Sequence, residues 1–291
     1  MTVINTNVSA TLASNAVSRN ERAMSTAMER LSTGKRINSA ADDAAGQAIA
    51  SRMSSQVKGL EQAARNASDG ISMVQTIEGA GKEVINILTR MKEIAVQAAS
   101  GTYSSDDRTA LNLEFTELRN EIDRISDDTA WNTKKLMDAS GNGGSTPITL
   151  QVGAGDNQTM VVTFKDWSVD YDTNATTTGV YGDTTTGINT ISVSGANNTN
   201  ATAAIVALDA AIKNASAELA TYGSYINRLE YAQDNLLNVA QNTDASRSRI
   251  EDADYASETS ELAKTQIIAQ AGTAMLAQAN QIKQTVLALL Q

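Results

Sequence analysis

The sequence of 291 residues contains neither cysteine nor histidine. These absences exclude disulfide bonds, zinc sites that need either residue, cysteine nucleophiles and any catalytic triad with a histidine base. An enzyme would be left with carboxylate chemistry alone. We therefore expect no catalytic activity, no metal site and no cofactor.

Large aromatic side chains and proline are also scarce. Aromatic residues make up 4% of the chain, with two Phe and two Trp, whereas hydrophobic residues in total reach 41%. A core with so few large rings is typical of packed helices rich in Ala, Leu, Ile, Val and Met. Because the single proline, Pro147, follows a glycine-rich stretch, long uninterrupted helices are possible on both sides of it.

The formal net charge is −10, from 33 acidic and 23 basic residues. Binding to a phosphate backbone needs clustered Lys and Arg; the sequence has no such cluster, so nucleic acid is not an expected partner. The first seven residues show no basic segment followed by an apolar run. No stretch approaches the roughly 18 apolar residues of a membrane span. Composition alone predicts a cytosolic protein without a membrane partner.

Apolar residues with helical spacing occur at both ends of the chain. Near the N-terminus they recur every seven residues, at Val3, Ala10, Val17, Met24 and Leu31. Near the C-terminus they alternate steps of four and three, at Ile268, Gly272, Met275, Ala279, Ile282, Val286 and Leu289. This spacing is typical of a narrow seam that packs on another helix. Since chain ends are normally the loosest part of a domain, seams there indicate a fold completed by joining other chains.

Between the ends, the pattern predicts three further helices and a β-hairpin. One helix spans residues 44–100, another begins at residue 106, and a third returns from residue 203. Strands at 148–152 and 160–164 flank a glycine-rich turn. Polar residues 167–202 form a loop, with one short strand considered at 191–193. The predicted fold is mainly α: a long antiparallel helical bundle or coiled coil with a small β-hairpin region and paired terminal helices.

The terminal helices are expected to be marginally stable as a pair. Their seams contain small residues such as Ala13, Ala27 and Gly272, which allow close approach but bury little area. At about 25 cal/mol per Å², such burial barely offsets an ordering cost of roughly 1.5 kcal/mol per residue. One interpretation is a pair that is disordered in the free chain and orders on assembly; the other is an ordinary intramolecular hairpin. A head-to-tail contact between identical chains that does not close generates a helical filament.

Three stretches of the sequence closely resemble bacterial flagellin. The first is LSTGKRINSA at residues 31–40, followed by DDAAGQAIA at 42–50. The second is residues 62–75, with RNASDGIS at 65–72. The third is SRSRIEDADYA at residues 246–256, followed by QAGT at 270–273 and LAQANQ at 276–281. The resemblance covers roughly residues 1–165 and 203–291.

This resemblance implies a structural subunit that self-assembles into the helical flagellar filament used for swimming motility. It implies an inner domain, residues 1–43 and 250–291, whose terminal helices polymerise into the inner tube. Residues 44–166 and 203–249 then form the helical bundle with its β-hairpin. Residues 167–202 form a short variable outer loop, so the chain is similar to a short flagellin with a reduced outer region. A hook–filament junction protein of the same family is the alternative.

The resemblance also changes the expected location to the extracellular filament, because flagellins leave the cell through the flagellar type III exporter without a cleaved signal peptide. The implied partners are identical copies of the chain, the flagellin export chaperone, the filament cap protein and the hook–filament junction proteins. A metallopeptidase, as in the outer region of some flagellins, is excluded because it needs paired histidines. A secreted coiled-coil protein acting as a monomer or adhesin remains an alternative.

Two sets of site residues follow from the resemblance. An Arg, an aliphatic residue, a Gln and a Glu make the main contact of flagellins with an animal Toll-like receptor, and they match Arg90, Ile94, Gln97 and Glu114 here. The first three share a helical face by their spacing, and ordinary packing between subunits is the alternative reason for their presence. The outer loop resembles O-glycosylated regions, with candidates at Thr173, Thr176, Thr177 and Thr178; an unmodified loop is the alternative.

Overall fold

A computed structural model of the protein describes residues 7–138, 147–169, 180–181, 188 and 191–288. Within these residues the helices are α1 (Val8–Thr33), α2 (Ala44–Ala99), α3 (Ser105–Asp128), α4 (Thr199–Glu251) and α5 (Tyr255–Ala288). The strands are β1 (Ala130–Trp131), β2 (Lys134–Lys135), β3 (Ile148–Gln151) and β4 (Thr159–Val162). Strands β1 and β2 form one antiparallel pair, and β3 and β4 form another. The prediction of a mainly α fold with a small β region is confirmed.

The chain divides into two compact units. The first contains residues 1–57 and 241–291, and the second contains residues 58–240. The first unit thus joins the two ends of the chain, whereas the second is one continuous stretch of sequence. The inner-domain limits predicted from the resemblance, residues 43 and 250, stay a prediction.

The first unit contains the terminal helices α1 and α5, which pack against each other. Helix α1 starts after Asn7, whose side chain accepts a hydrogen bond from the Ala10 N–H at 3.1 Å. It ends at Gly34, which has a left-handed φ of 72° and donates its N–H to the Arg30 carbonyl. Because a residue with a Cβ is strained in this conformation, glycine is suited to the position.

The second unit is built on one hydrophobic core shared by α2, α3 and α4. Its fully buried side chains include Val74, Ile77, Leu88 and Met91 from α2, Phe115 and Ile122 from α3, and Leu208, Tyr222 and Leu229 from α4. Helix α3 starts with a capping box, in which Ser104 and Asp107 exchange hydrogen bonds between side chain and backbone. This cap satisfies backbone N–H groups that have no partner inside the helix.

The β3–β4 hairpin docks on α2, where Asn66 donates its side-chain amide to the Gln151 carbonyl at 3.1 Å. Met160 and Val162 of β4 alternate with exposed neighbours and point into the core. The predicted hairpin is confirmed. The β1–β2 pair was not predicted; its two-residue turn consists of Asn132 and Thr133, both with positive φ.

Several apolar residues of the predicted outer loop lie in the core of the second unit. Trp167 is fully buried and donates its indole N–H to the Tyr222 hydroxyl at 3.2 Å. Val180, Ile188 and Val193 are also buried in this core. Residues 191–194 form no strand, so the short strand considered there is not found. The described part of this polar segment is thus held to the bundle by its few large apolar side chains.

Candidate assembly interface

Helices α1 and α5 meet along a seam of small and medium side chains. On α1 the stripe of residues with reduced exposure is Ala10, Ala13, Val17, Asn20, Met24, Ala27 and Leu31, with Thr26 and Arg30 half-buried beside it. On α5 the stripe is Glu258, Leu262, Thr265, Ala269, Gly272, Leu276 and Ala279, with Glu261 half-buried beside it. Both sets alternate steps of three and four, as expected for two helices in continuous contact. The helices run antiparallel, because Asn7 bonds to Ala279 at one end and Arg30 pairs with Glu258 at the other.

The centre of the seam contains a buried polar contact. The Asn20 amide donates to the Thr265 carbonyl at 2.7 Å, and both residues are buried. The Thr265 hydroxyl donates to carbonyls of its own helix, so both side chains have partners. A buried amide in an otherwise apolar seam favours one register of two helices over its neighbours.

One glycine permits the closest approach of the two helices. A Cβ at Gly272 would lie 2.7 Å from Cγ2 of Val17, well inside van der Waals contact. Any larger residue there would push the helices apart or displace Val17. Gly272 therefore determines how closely α1 and α5 pack.

Main-chain hydrogen bonds join the segment that follows α1 to the segment that precedes α5. The Arg36 N–H donates to the Glu251 carbonyl at 2.7 Å, and the Ala253 N–H donates to the Gly34 carbonyl at 3.0 Å. The Arg36 guanidinium also donates to the Ile250 carbonyl at 2.7 Å. These bonds join residues more than two hundred positions apart in sequence and fix the end of the helix pair.

A tight turn follows these hydrogen-bonded segments and leads into α2. The Asp42 carboxylate accepts hydrogen bonds from the N–H groups of Ser39 and Asn38, at 2.9 and 3.1 Å. These backbone donors lower the pKa of Asp42 below its usual value. The carboxylate is thus held ionised by the turn that it closes.

Large apolar side chains remain exposed on both terminal helices. They are Val8, Leu12 and Met28 on α1 and Tyr255, Ile267, Ile268 and Met275 on α5. Met275 and Leu12 are each 66% exposed. Single exposed apolar residues need no explanation, but several on one pair of helices indicate a surface that contacts another molecule.

The predicted seam residues divide into two groups. Ala10, Val17, Met24 and Leu31 on α1, and Gly272 and Ala279 on α5, lie in the intramolecular seam. Ile268 and Met275 are exposed instead. Each comes three residues after a seam residue, which places it about 60° round the helix. The assignment of both to contacts between subunits stays a prediction.

The remaining predicted seam residues lie outside the described part of the structure. Val3 and Leu289 are outside the described residues, as are the side chains of Ile282 and Val286. Sequence reasoning missed the buried pair Asn20 and Thr265. The available signal was the seven-residue spacing of Ala13, Asn20 and Ala27, which runs parallel to the predicted apolar row.

The four residues matched to the receptor contact differ in exposure. The Arg90 guanidinium donates to the Glu114 carboxylate at 2.8 and 3.1 Å and to Glu93 at 3.0 Å. The hydrogen bonds to Glu114, which have the larger effect, and to Glu93 raise the pKa of Arg90 above its ordinary value. Gln97 is also exposed and donates to the Tyr103 hydroxyl. Ile94 is 1% exposed, so in this conformation its side chain supports α2 from the core and is not available to a partner.

Other expected sites receive no structural description. The candidate glycosylation residues Thr173, Thr176, Thr177 and Thr178 lie outside the described residues. Among the described residues, no group of three or more acidic side chains is arranged to hold a metal ion. The described helices include none with an apolar stretch long enough to cross a membrane.

Comparison with known proteins gives matches at both ends of the chain. Residues 4–142 match the bacterial flagellin N-terminal helical region, and residues 205–290 match the bacterial flagellin C-terminal helical region. A flagellin of Halalkalibacterium halodurans is 44% identical over 265 residues, which cover 91% of each chain. A flagellin of Listeria monocytogenes is 37% identical over 281 residues, covering 97% of this chain and 96% of that protein. The crystal structure of Bacillus cereus flagellin is 32% identical and superposes with a TM-score of 0.45 over 59% of this chain and 88% of that one.

Proposed function

Because the chain belongs to the bacterial flagellin family, we propose that its paired terminal helices are the joint through which identical copies polymerise. A flagellin is a structural protein and not an enzyme, and it self-assembles into the extracellular flagellar filament. The finer assignment is that residues 1–43 and 250–291 form the inner tube of that filament.

The observation that carries this proposal is the exposed apolar surface of α5. Ile267, Ile268 and Met275 are large side chains that stay exposed although α5 packs along α1. Removing such side chains from water stabilises a contact by about 1.5–3 kcal/mol each when burial is complete. A second copy of the chain offers a different apolar surface, the exposed Val8, Leu12 and Met28 of α1, so the contact can be head-to-tail.

A helical polymer requires a contact that does not close on itself. A two-fold dimer would cover the patch once and leave nothing to propagate, whereas a head-to-tail contact repeats along a filament. The seam with α1 keeps α5 in one register through Asn20 and the close approach at Gly272. The apolar residues are thereby presented on a rigid element rather than on a loose terminus.

The assembly test changes exposed residues that the monomer does not need. Ile268→Asp and Met275→Asp should leave the helical signal of the free chain unchanged, because both side chains are solvent-exposed there. Each change should raise the critical concentration for polymerisation at least about tenfold, since the loss of one buried apolar contact exceeds about 1.4 kcal/mol. Sedimentation and electron microscopy of chain added to short filament seeds measure this.

Conservative variants at the same positions provide the control. Ile268→Val and Met275→Leu keep the surface apolar and should polymerise close to the unmodified concentration. Aspartate variants that elongate seeds as well as the unmodified chain would show that this face is not the joint. The same experiment separates a filament subunit from a secreted coiled-coil protein that acts as a monomer.

The flagellin matches at both ends favour a filament subunit over a hook–filament junction protein. The export chaperone, the filament cap protein and the junction proteins belong to the proposal as partners, together with export that uses no cleaved signal peptide. The exposed apolar face of α5 supports a chaperone in particular. An exposed apolar face promotes aggregation in a chain that has not yet polymerised, and a bound chaperone would shield it from water.

Recognition by the animal Toll-like receptor is a second part of the proposal. Arg90 and Glu114 form an exposed ion pair between α2 and α3, with Gln97 two turns along α2. Arginine is one of the residues that most often contribute a large share of the binding energy at protein–protein interfaces. Ile94 then acts from the core by positioning this part of α2.

A reporter-cell assay with the monomeric chain tests this part. Arg90→Ala should raise the concentration needed for half-maximal receptor activation by at least about tenfold. Arg124→Ala is the matched control, because Arg124 also bridges two exposed carboxylates, those of Glu121 and Asp128. Equal responses of both variants and the unmodified chain would show that Arg90 is not a receptor contact.

A further inference from the structure

The methionines of this chain are segregated by exposure. Met28 on α1 is 54% exposed and Met275 on α5 is 66% exposed, and both belong to the first compact unit. Met73, Met91, Met137 and Met160 are buried in the core of the second unit. The side chains of Met24 and Met53 are half-buried. The most accessible thioethers that the structure describes are therefore on the paired terminal helices.

Exposure controls how readily a thioether is oxidised. A peroxide transfers one oxygen atom to the sulfur: R–S–CH₃ and H₂O₂ give R–S(=O)–CH₃ and H₂O, so sulfur loses two electrons and peroxide gains them. The product is the sulfoxide, a polar group in place of an apolar one. The buried thioethers of the core are shielded from this reaction, whereas those of Met28 and Met275 meet solvent directly.

We propose that Met28 and Met275 are oxidation sites through which peroxide blocks polymerisation of the free chain. This inference rests on the proposed function, because it needs the exposed faces of α1 and α5 to become buried between copies. A sulfoxide placed in such a contact would have to be desolvated without an arranged partner. The contact would be lost although nothing in the monomer had changed shape.

The fold of the monomer should survive the modification. Neither side chain lies in the intramolecular seam, which runs through residues such as Ala27, Gly272 and Leu276. A sulfoxide on Met28 or Met275 can therefore remain hydrated while α1 and α5 stay paired. Met24 differs, because its half-buried side chain lies in that seam, and oxidation there would weaken the helix pair itself.

The experiment treats the purified free chain with hydrogen peroxide and follows site, fold and assembly together. Peptide mass spectrometry should show sulfoxide at Met28 and Met275 before it appears at Met73 or Met91. At that stage the helical signal should be unchanged, and the critical concentration for elongation of filament seeds should rise at least about tenfold. Treatment with the two methionine sulfoxide reductases, one for each sulfoxide epimer, together with dithiothreitol as the thiol reductant should restore assembly.

The matched variant is the double substitution Met28→Leu and Met275→Leu, which keeps both positions apolar and removes both sulfurs. It should polymerise normally and resist peroxide, with less than a twofold change in critical concentration. A double variant that peroxide blocks as strongly as the unmodified chain would overturn the inference. Normal assembly of unmodified chain that carries sulfoxide at both positions would overturn it as well.

This outcome can be separated from failure of the proposed function. Normal assembly of Met275→Asp would mean that the face on α5 is not the joint, and the oxidation inference would fall with it. A block of assembly by Met275→Asp, together with normal assembly of the sulfoxide form, would leave the joint in place and reject only the oxidation inference.

Discussion

A methyl group at position 272 should have opposite effects on helix α5 and on the contact between α1 and α5. Gly272→Ala removes a flexible residue from the interior of a helix, which by itself stabilises the helix by about 0.8–1.0 kcal/mol. The same methyl group would lie 2.7 Å from Cγ2 of Val17 on the facing helix. Two carbon atoms in contact normally lie about 3.5–4.0 Å apart.

The clash cannot be relieved by Val17 alone. A β-branched side chain in a helix has one strongly preferred χ1 rotamer, so the methyl group cannot swing aside at low cost. The helices must separate or shift, and overpacking of this kind typically costs about 1–3 kcal/mol. Set against the gain in helix propensity, Gly272→Ala should destabilise the pair by roughly 0–2 kcal/mol.

A double-mutant cycle with Val17→Ala isolates the steric part. In the Val17→Ala background the added methyl group has room, so Gly272→Ala should become stabilising by up to about 1 kcal/mol. The coupling energy of the cycle, about 1–3 kcal/mol, is then the free energy of the clash. Gly79→Ala on α2 is the control, since a Cβ there meets no atom within 4 Å; it should stabilise in either background.

Amide hydrogen exchange of the free chain, read by mass spectrometry in peptides from α1 and α5 and, for Gly79→Ala, from α2, measures these free energies of local opening. Stabilisation of both helices by Gly272→Ala in the unmodified background would refute the close approach at this position. Exchange in the unmodified chain as fast as in an unfolded peptide would refute the intramolecular seam and favour a pair that orders only on assembly. The cycle thus tests both interpretations of the terminal helices.

Three further predictions concern polar groups. Arg108 is buried and donates to four backbone carbonyls, so Arg108→Met should lower the free energy of unfolding by about 3 kcal/mol in denaturant titrations, whereas the exposed Arg124→Met should change it little. Asn20→Leu removes the buried amide of the α1–α5 seam, and engineered cysteines placed one heptad out of register should then crosslink more readily. Hydrogen bonds from Ser104 hold the pKa of Asp107 below its ordinary 3.8, so this cap stabilises α3 at neutral pH and ceases to do so as the pH falls through that lowered pKa. In Asp107→Ala this pH dependence of the stability of α3 should disappear, as amide hydrogen exchange in α3 measures.

Several limits of the helices were predictable because their signals are local, although α4 begins at Thr199 and not at the expected residue 203. Gly34 ends α1, Ser104 with Asp107 starts α3, and the unbroken apolar stripe of α2 was expected at residues 44–100 and lies at Ala44–Ala99. Each of these features depends on a few neighbouring residues and on helix geometry. The β3–β4 hairpin was predictable for the same reason, since two apolar runs flank a glycine-rich turn.

Features that depend on distant partners were not predictable. Trp167 lies in a polar segment, and its burial depends on Tyr222, 55 residues further along the chain. The β1–β2 pair has only two residues in each strand, too few for an alternating pattern. In the candidate receptor contact, spacing places Arg90, Ile94 and Gln97 on one side of α2, but that side straddles the edge of the core, and Ile94 falls inside it.

On helix α5, the periodicity of the apolar residues does not decide which of them face α1. Its apolar residues occupy more than one face, so a pattern of threes and fours fits Ile268 and Met275 as well as Leu262, Ala269 and Leu276. The seam with α1 combines Leu262 and Leu276 with small residues such as Gly272, which allow close approach, and the spacing of apolar residues does not show which set faces α1.

Several large apolar side chains of α5 are on the side that α1 does not cover. Ile267, Ile268 and Met275 are each between 45% and 66% exposed, whereas the facing residues Ala269 and Gly272 offer little area to bury. Since the free energy of apolar burial grows with area, at about 25 cal/mol per Å², a further gain available to α5 lies outside its own chain. Pairing with α1 therefore positions α5, and contact with another copy would stabilise it further.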